Sequence, residues 1–178
     1  HRDAGCPVYY ISTLSKCLAP GLRTAYLVVP AGEPMEPVLD ALRAIALMPT
    51  QSMVAVASQW IRSGQARDMV QRFQQELRER QAIAAQFLPP SAQAHPAGLH
   101  VWLPLPPRLD QYRLIQAAQE QGLGIASSDA FSVEEPPPGN AIRLSLGGAV
   151  DQGALAGALA KLNEILSEAP EARHNAIV

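Results

Sequence analysis

Two adjoining stretches with different periods decide the fold class. Between Ala66 and Leu88 apolar residues recur at three and four positions, and Pro89-Pro90 stops the pattern. Ala66, Met69, Val70, Phe73, Leu77, Ala84, Phe87 and Leu88 make one stripe, as on an amphipathic helix, while Asp68 to Arg72 and Glu76 to Arg80 pair along the wet face. From Leu99 to Leu105 the period drops to two, with Leu99, Val101, Leu103 and Leu105 on one face and His100, Trp102 and Pro104 on the other. That alternation is a half-buried strand. Asp110 then opens a helix through Ile115 and Ala118 that stops before Gly122, and Leu123 to Ala126 reads as a short strand. A proline-rich loop from Glu134 to Gly139 leads into a strand from Ala141 to Leu146, and Asp151 caps a closing helix with Leu155, Leu159, Leu162 and Leu166 in its stripe. The order helix, strand, helix, strand, strand, helix predicts a compact α/β lobe over residues 65–170, with 171–178 as a frayed tail. In the strand from Ala141, Ile142, Leu144 and Leu146 share a face, so Arg143 and Ser145 point the other way.

Ahead of that lobe, Val8 to Ser12 follows Pro7 and is rich in β-branched and aromatic residues, which predicts a strand. A second strand is expected from Leu22 to Val29, ending at Pro30. Pro37 to Ile61 has helical periodicity broken at Met48-Pro49; Thr50 or Ser52 caps the second helix and Gly64 follows its end. These signals place a boundary at Gly64 and make 1–64 one domain and 65–170 the next. Ser91 to Gly98, small and polar, reads as a linker.

Composition narrows the function classes. With 48% hydrophobic and 17% charged residues in 178, the chain has enough apolar content to bury a core. No apolar run approaches the roughly 20 residues that a bilayer span needs, and no signal peptide opens the chain. The expected location is cytoplasmic, with no membrane partner. A net charge of −2 without a basic block leaves these residues poorly suited to nucleic acid. Cys6 and Cys17 lack metal-ligand spacing, and His1, His95, His100 and His174 are scattered, which points to a reducing compartment and no structural metal. The chain opens on His1 and enters a strand pattern almost at once, so an upstream part is expected to be missing.

Lysine is scarce. Of fourteen basic residues only Lys16 and Lys161 are lysines, and Lys161 falls in an ordinary surface helix. Lys16 lies on the turn between the first two strands, beside the hydroxyls of Thr13 and Ser15 and just ahead of Pro20-Gly21 and Arg23. One amine next to hydroxyl donors and a planar guanidinium suits an aldehyde cofactor that carries a phosphate.

The run Tyr10-Ile11-Ser12-Thr13-Leu14-Ser15-Lys16-Cys17-Leu18-Ala19-Pro20-Gly21-Leu22-Arg23 resembles fold-type I pyridoxal-phosphate enzymes, the aspartate aminotransferase superfamily. It is most similar to the aminotransferase-like domain of GntR-family regulators of the MocR type. The resemblance extends to Gly98-Leu99-His100-Val101-Trp102-Leu103, to Gly124-Ile125 with Phe131, and to Ile142-Arg143-Leu144-Ser145. It implies the end of a large lobe followed by a small α/β lobe, with pyridoxal 5'-phosphate as cofactor. Lys16 is then the Schiff-base lysine; Thr13, Ser15 and Arg23 hold the cofactor phosphate, with Ser12 a weaker candidate; and Arg143 binds the α-carboxylate of an amino-acid or amine ligand. Ala46-Leu47-Met48-Pro49-Thr50 and Ser58-Gln59-Trp60-Ile61 look more like the regulators than the free-standing enzymes. A homodimer is implied, and DNA is reached only through an N-terminal domain that this chain lacks. The resemblance also admits a catalytic aminotransferase, and a bare scaffold without cofactor is the third possibility. The carboxylate, stacking aromatic and glycine-rich turn that complete such a site are expected upstream, since Asp3 lies too close to the strand to be that carboxylate.

Overall fold

The computed structural model describes residues 6–134 and 139–168. Asp3, most of the proline-rich loop and the expected tail 171–178 lie outside the described residues. The chain packs as two units that divide between Phe73 and Gln74, within a helix rather than at Gly64.

The first unit begins with an antiparallel pair, β1 (Tyr10–Thr13) and β2 (Ala25–Val28), in which Tyr10 faces Val28 and Thr13 faces Ala25. The second strand starts three residues later than its apolar pattern suggests. Pro20–Leu22 closes a 3-10 turn, and Arg23 follows in the left-handed region at φ 45°, so the backbone extends only from Thr24. Two helices come next, α1 (Glu36–Ala46) and α2 (Gln51–Ser63), separated at Met48-Pro49. Thr50 supplies the extended backbone of an N-cap to α2, though its side chain makes no cap bond. Gly64 ends α2 at φ 84°, a conformation that costs glycine little. Leu14 and Leu22 pack on Ala57 of α2, flanked by Met53, Val56 and Trp60. No residue of α1 is buried.

The long helix α3 (Gln65–Phe87) crosses the division. Its stripe is covered unevenly: Leu77 and Ala84 are buried, whereas Met69 and Phe73 are exposed. The second unit is built on a three-stranded antiparallel sheet in the order β3 (His100–Pro104), β5 (Ala141–Ser145), β4 (Ala126–Ser127). Helices α4 (Gln111–Glu120) and α5 (Gln152–Glu168) complete it. Val101, Leu103, Ile142 and Leu144 of the sheet, Leu114 and Ala118 of α4, and Leu155, Leu159 and Leu162 of α5 form one core. Both helices have the caps their sequences promise: Asp110 accepts from the Arg113 backbone N–H at 2.9 Å, and Asp151 from that of Ala154 at 2.7 Å.

Ser91 to Gly98 is not a linker. Gln93 and Trp102 exchange backbone hydrogen bonds of 2.8 Å, and the Gln81 side chain donates to the Gly98 carbonyl at 2.7 Å. Its polar composition reflects a strand-edge excursion whose backbone groups find partners within the second unit.

Candidate functional site

In the first unit the lysine turn is closed at its base, where the Leu14 N–H donates to the Thr24 carbonyl at 3.1 Å and so continues the ladder of β1 and β2. Leu18 and Ala19 both donate to the Leu14 carbonyl, at 2.9 and 3.2 Å, which curls the segment after Lys16 into a tight turn. Leu14 and Leu22 anchor its underside on α2, and the Thr24 hydroxyl is spent on the Leu22 carbonyl at 2.8 Å. The remaining polar groups point outward. Thr13, Lys16 and Arg23 are exposed and Ser15 is half-buried. Among the described residues the Thr13 and Ser15 hydroxyls, Lys16 Nζ and the Arg23 guanidinium make no hydrogen bond or ion pair. Ser12 is half-buried within β1, opposite Tyr26. Cys17 Sγ lies 3.7 Å from the Thr13 carbonyl and thus serves the turn.

The left-handed backbone at Arg23 is a second mark of this turn. A side chain other than glycine costs about 1–2 kcal/mol there. The strain places a long cation on the outer side of a turn whose inner side is held by leucines.

In the second unit Arg143 is on the central strand, with Trp102 opposite on β3 and Ala126 opposite on β4. Directly paired residues project to the same face, so Trp102 and Arg143 share the side away from the apolar layer. Phe131, at the end of the 3-10 turn Ser128–Phe131, lies over that face. The Arg143 guanidinium carbon is 4.3 Å from the Phe131 ring centroid, and Trp102 meets Phe131 edge-on at 6.0 Å and 73°. Arg143 makes no hydrogen bond or ion pair among the described residues, and its Nε is buried without a partner.

The chain as a whole is similar to known proteins. No family model matches the chain. The uncharacterized HTH-type transcriptional regulator YdfD of Bacillus subtilis (strain 168) is 30% identical over 153 residues, 80% of this chain and 30% of the relative. A second regulator of that organism, YdeF, is 27% identical over 140 residues, 78% of this chain and again 30% of the relative. The chain therefore spans less than a third of the length of these relatives. Among solved structures, kynurenine aminotransferase from Pyrococcus horikoshii, crystallised in complex with PMP, superposes with a TM-score of 0.77 at 22% identity. That match covers 90% of this chain and 40% of the enzyme. The chain is a homologue of HTH-type transcriptional regulators with a fold-type I aminotransferase fold.

Within this aminotransferase fold, three buried polar side chains that sequence reasoning missed support the Arg143 strand. Arg80, expected on the wet face of α3, is only 8% exposed. Its Nε donates to Glu76 at 2.6 Å, and its Nη1 donates to the carbonyls of Leu146 and Ala149 at 2.7 and 3.0 Å. It ties down the segment leaving β5. The bond from Arg80, and a second from Gln152, hold the Glu76 carboxyl below the usual carboxylate range. An i,i+4 acidic and basic pair looks the same in sequence whether solvent or two carbonyls lie beyond it.

Gln111 and Ser128, each 5% exposed, are the other two. Gln111 Oε1 accepts from the Ser128 backbone N–H at 3.2 Å and from its hydroxyl at 2.8 Å, while Nε2 donates to Asp129 at 3.0 Å. The Tyr112 hydroxyl donates to the other Asp129 oxygen. This bond, ahead of those from Gln111 and the neighbouring serines, holds the Asp129 carboxyl below its ordinary range and raises the Tyr112 hydroxyl above its own. Nothing in the sequence marks this cluster, because it joins residues from two elements without periodicity. Among the described residues no group of His, Cys, Asp and Glu is placed to hold a metal ion, and no helix is long and apolar enough to cross a membrane.

Proposed function

We propose that this chain is the cofactor-binding, effector-sensing, aminotransferase-like part of a GntR-family transcriptional regulator of the MocR type. The observation that carries the reading is the lysine turn. One amine, two hydroxyls and one guanidinium are presented from a single closed turn and have no hydrogen-bond or ion-pair partner among the described residues. That donor set fits a phosphorylated aldehyde: Lys16 is the amine for the carbonyl carbon, and Thr13, Ser15 and Arg23 are donors for the phosphate. Arg143 is the carboxylate-binding arginine of an amino-acid ligand, and its guanidinium, with no hydrogen bond or ion pair among the described residues, fits an anion.

Pyridoxal phosphate, when bound, supplies an electrophilic carbonyl toward a ligand amine. The protein's own contributions are binding and orientation. Leu14 and Leu22 fix the turn so that Lys16 needs no other anchor, Arg23 compensates the phosphate charge, and Lys16 Nζ is the atom able to hold or release a proton. In the regulator reading, ligand occupancy is reported to a DNA-binding segment, as the relatives described as HTH-type regulators suggest. A homodimer acting in the cytoplasm belongs to the same reading. The alternative, an aminotransferase that turns over an amino acid, draws on the solved neighbour being an enzyme.

Incubation with pyridoxal phosphate, reduction with borohydride and peptide mapping test the cofactor assignment. Lys16 is expected to take up the label and Lys161, also exposed, to serve as the internal control. Equal labelling of the two lysines, or none, overturns it. Release of keto acid from an added amino acid by the loaded full-length protein would favour the enzyme.

A further inference from the structure

Arg143 raises a mechanical question. An arginine side chain carries about 2 kcal/mol of rotamer entropy, and this one has no hydrogen bond among the described residues to hold it. Its immediate support is the face of Phe131. Phe131 is itself 45% exposed, so no closed pocket fixes its ring. The ring is placed by the edge of Trp102 and by the backbone of the turn Ser128–Phe131. That turn is fastened at its first two residues to Gln111, whose side chain is buried and spends both ends of its amide on Ser128 and Asp129. Ser128 further donates to the Gly139 carbonyl at 3.2 Å, which binds the turn to the approach of β5.

We propose that Gln111 is a positioning residue for Arg143, acting through the Ser128–Phe131 turn and the Phe131 ring, so that the guanidinium is held in one pose before a carboxylate arrives. A buried glutamine with two satisfied ends transmits its position more rigidly than an apolar side chain of the same volume, because each bond it loses strands a buried group. Trp102, paired with Arg143 across the sheet, meets the same ring edge-on. The inference rests on the reading of Arg143 as the carboxylate-binding arginine, but its mechanical part is tested without that reading.

The test uses this chain labelled with nitrogen-15 at arginine, with the Arg143 Nε–H signal assigned by Arg143→Lys. In the wild type that buried Nε–H is expected to be sharp and to exchange slowly with water. Phe131→Leu, at a half-exposed position that tolerates replacement, and Gln111→Leu are each expected to broaden the signal or raise its exchange about threefold or more. Phe131→Tyr, which keeps the ring, is expected to restore it. The backbone amide spectrum reports whether each variant is folded. An unchanged Arg143 signal in folded Gln111→Leu or in Phe131→Leu overturns the proposal. The same samples are titrated with propionate at constant ionic strength, chloride serving as control. Saturable shifts at Arg143 that weaken about threefold in both leucine variants support both links. A wild type indifferent to propionate sinks the carboxylate reading alone, and the exchange data then decide for or against the positioning role.

Discussion

The two units spend their apolar residues in opposite ways. In the first, the buried core is Leu14, Leu22 and Ala57, while Tyr10, Ile11, Val28, Ile45, Leu47 and Met48 stand exposed. In the second, a continuous core joins sheet and helices, with Leu103, Ile142 and Leu146 almost wholly enclosed. The polar groups follow the same division. The lysine turn holds its donors outward with no partner among the described residues, whereas Arg80, Gln111 and Ser128 are buried with theirs matched. The first unit thus leaves apolar side chains exposed around the lysine turn, and the second encloses a core beneath the strand that carries Arg143.

The contrast in core depth predicts the largest effects. Leu103→Ala should destabilise the second unit by about 4 kcal/mol, and Leu22→Ala the first by about 2 kcal/mol, since a shallow site collapses more easily around a deletion. The chain has two tryptophans, Trp60 in the first unit and Trp102 in the second, so variants retaining one at a time report each unit's urea transition separately. Equal losses at the two leucines would erase the distinction. Between these two in size is Arg80→Leu, which strands the Leu146 and Ala149 carbonyls and should cost about 3 kcal/mol, visible only through Trp102.

Much of this was legible in the chain, for physical reasons that differ by region. The lysine turn could be placed because its residues are local: Thr13, Ser15, Lys16 and Arg23 follow one another between two strand signals, and the leucines that anchor it lie in the same run. The helices, the Asp110 and Asp151 caps and the direction of Arg143 away from the apolar layer followed from period, local sequence and parity. The late start of β2 did not, since the left-handed backbone at Arg23 overrides an apolar pattern that runs through it. Nor did the burial of Arg80 and Gln111, whose partners lie 66–69 and 17–18 residues away. A polar side chain is exposed by default, and only the fold brings a carbonyl to it.

Lys16→Ala sharpens the comparison from the other side. Because Lys16 is exposed and has no partner among the described residues, its removal should change stability by no more than about 0.5 kcal/mol while the borohydride-fixed pyridoxal label disappears. A cost comparable with Leu22→Ala would mean that the lysine is part of the turn's structure.

The smallest effect is expected at the Tyr112 and Asp129 pair, and its pH dependence has a definite sign. Asp129 is held below its ordinary 3.8, first by the Tyr112 hydroxyl, so the pair's contribution is complete above the unfolded value and is lost as acid titrates through the lower folded one. Tyr112 is raised above its ordinary 10.0, so the contribution also fades once alkali ionises the tyrosine of the unfolded chain. Tyr112→Phe removes the tyrosine's titration and the largest of the contributions that lower Asp129, leaving those of Gln111 and the serines. The melting-temperature difference between wild type and variant should therefore be widest from about pH 6 to 9 and narrow towards both limits. A difference that stays constant across the range would show that the hydroxyl acts by packing alone. It would also remove the tyrosine from the group that fastens the Ser128–Phe131 turn, leaving Gln111 as the side chain that holds it.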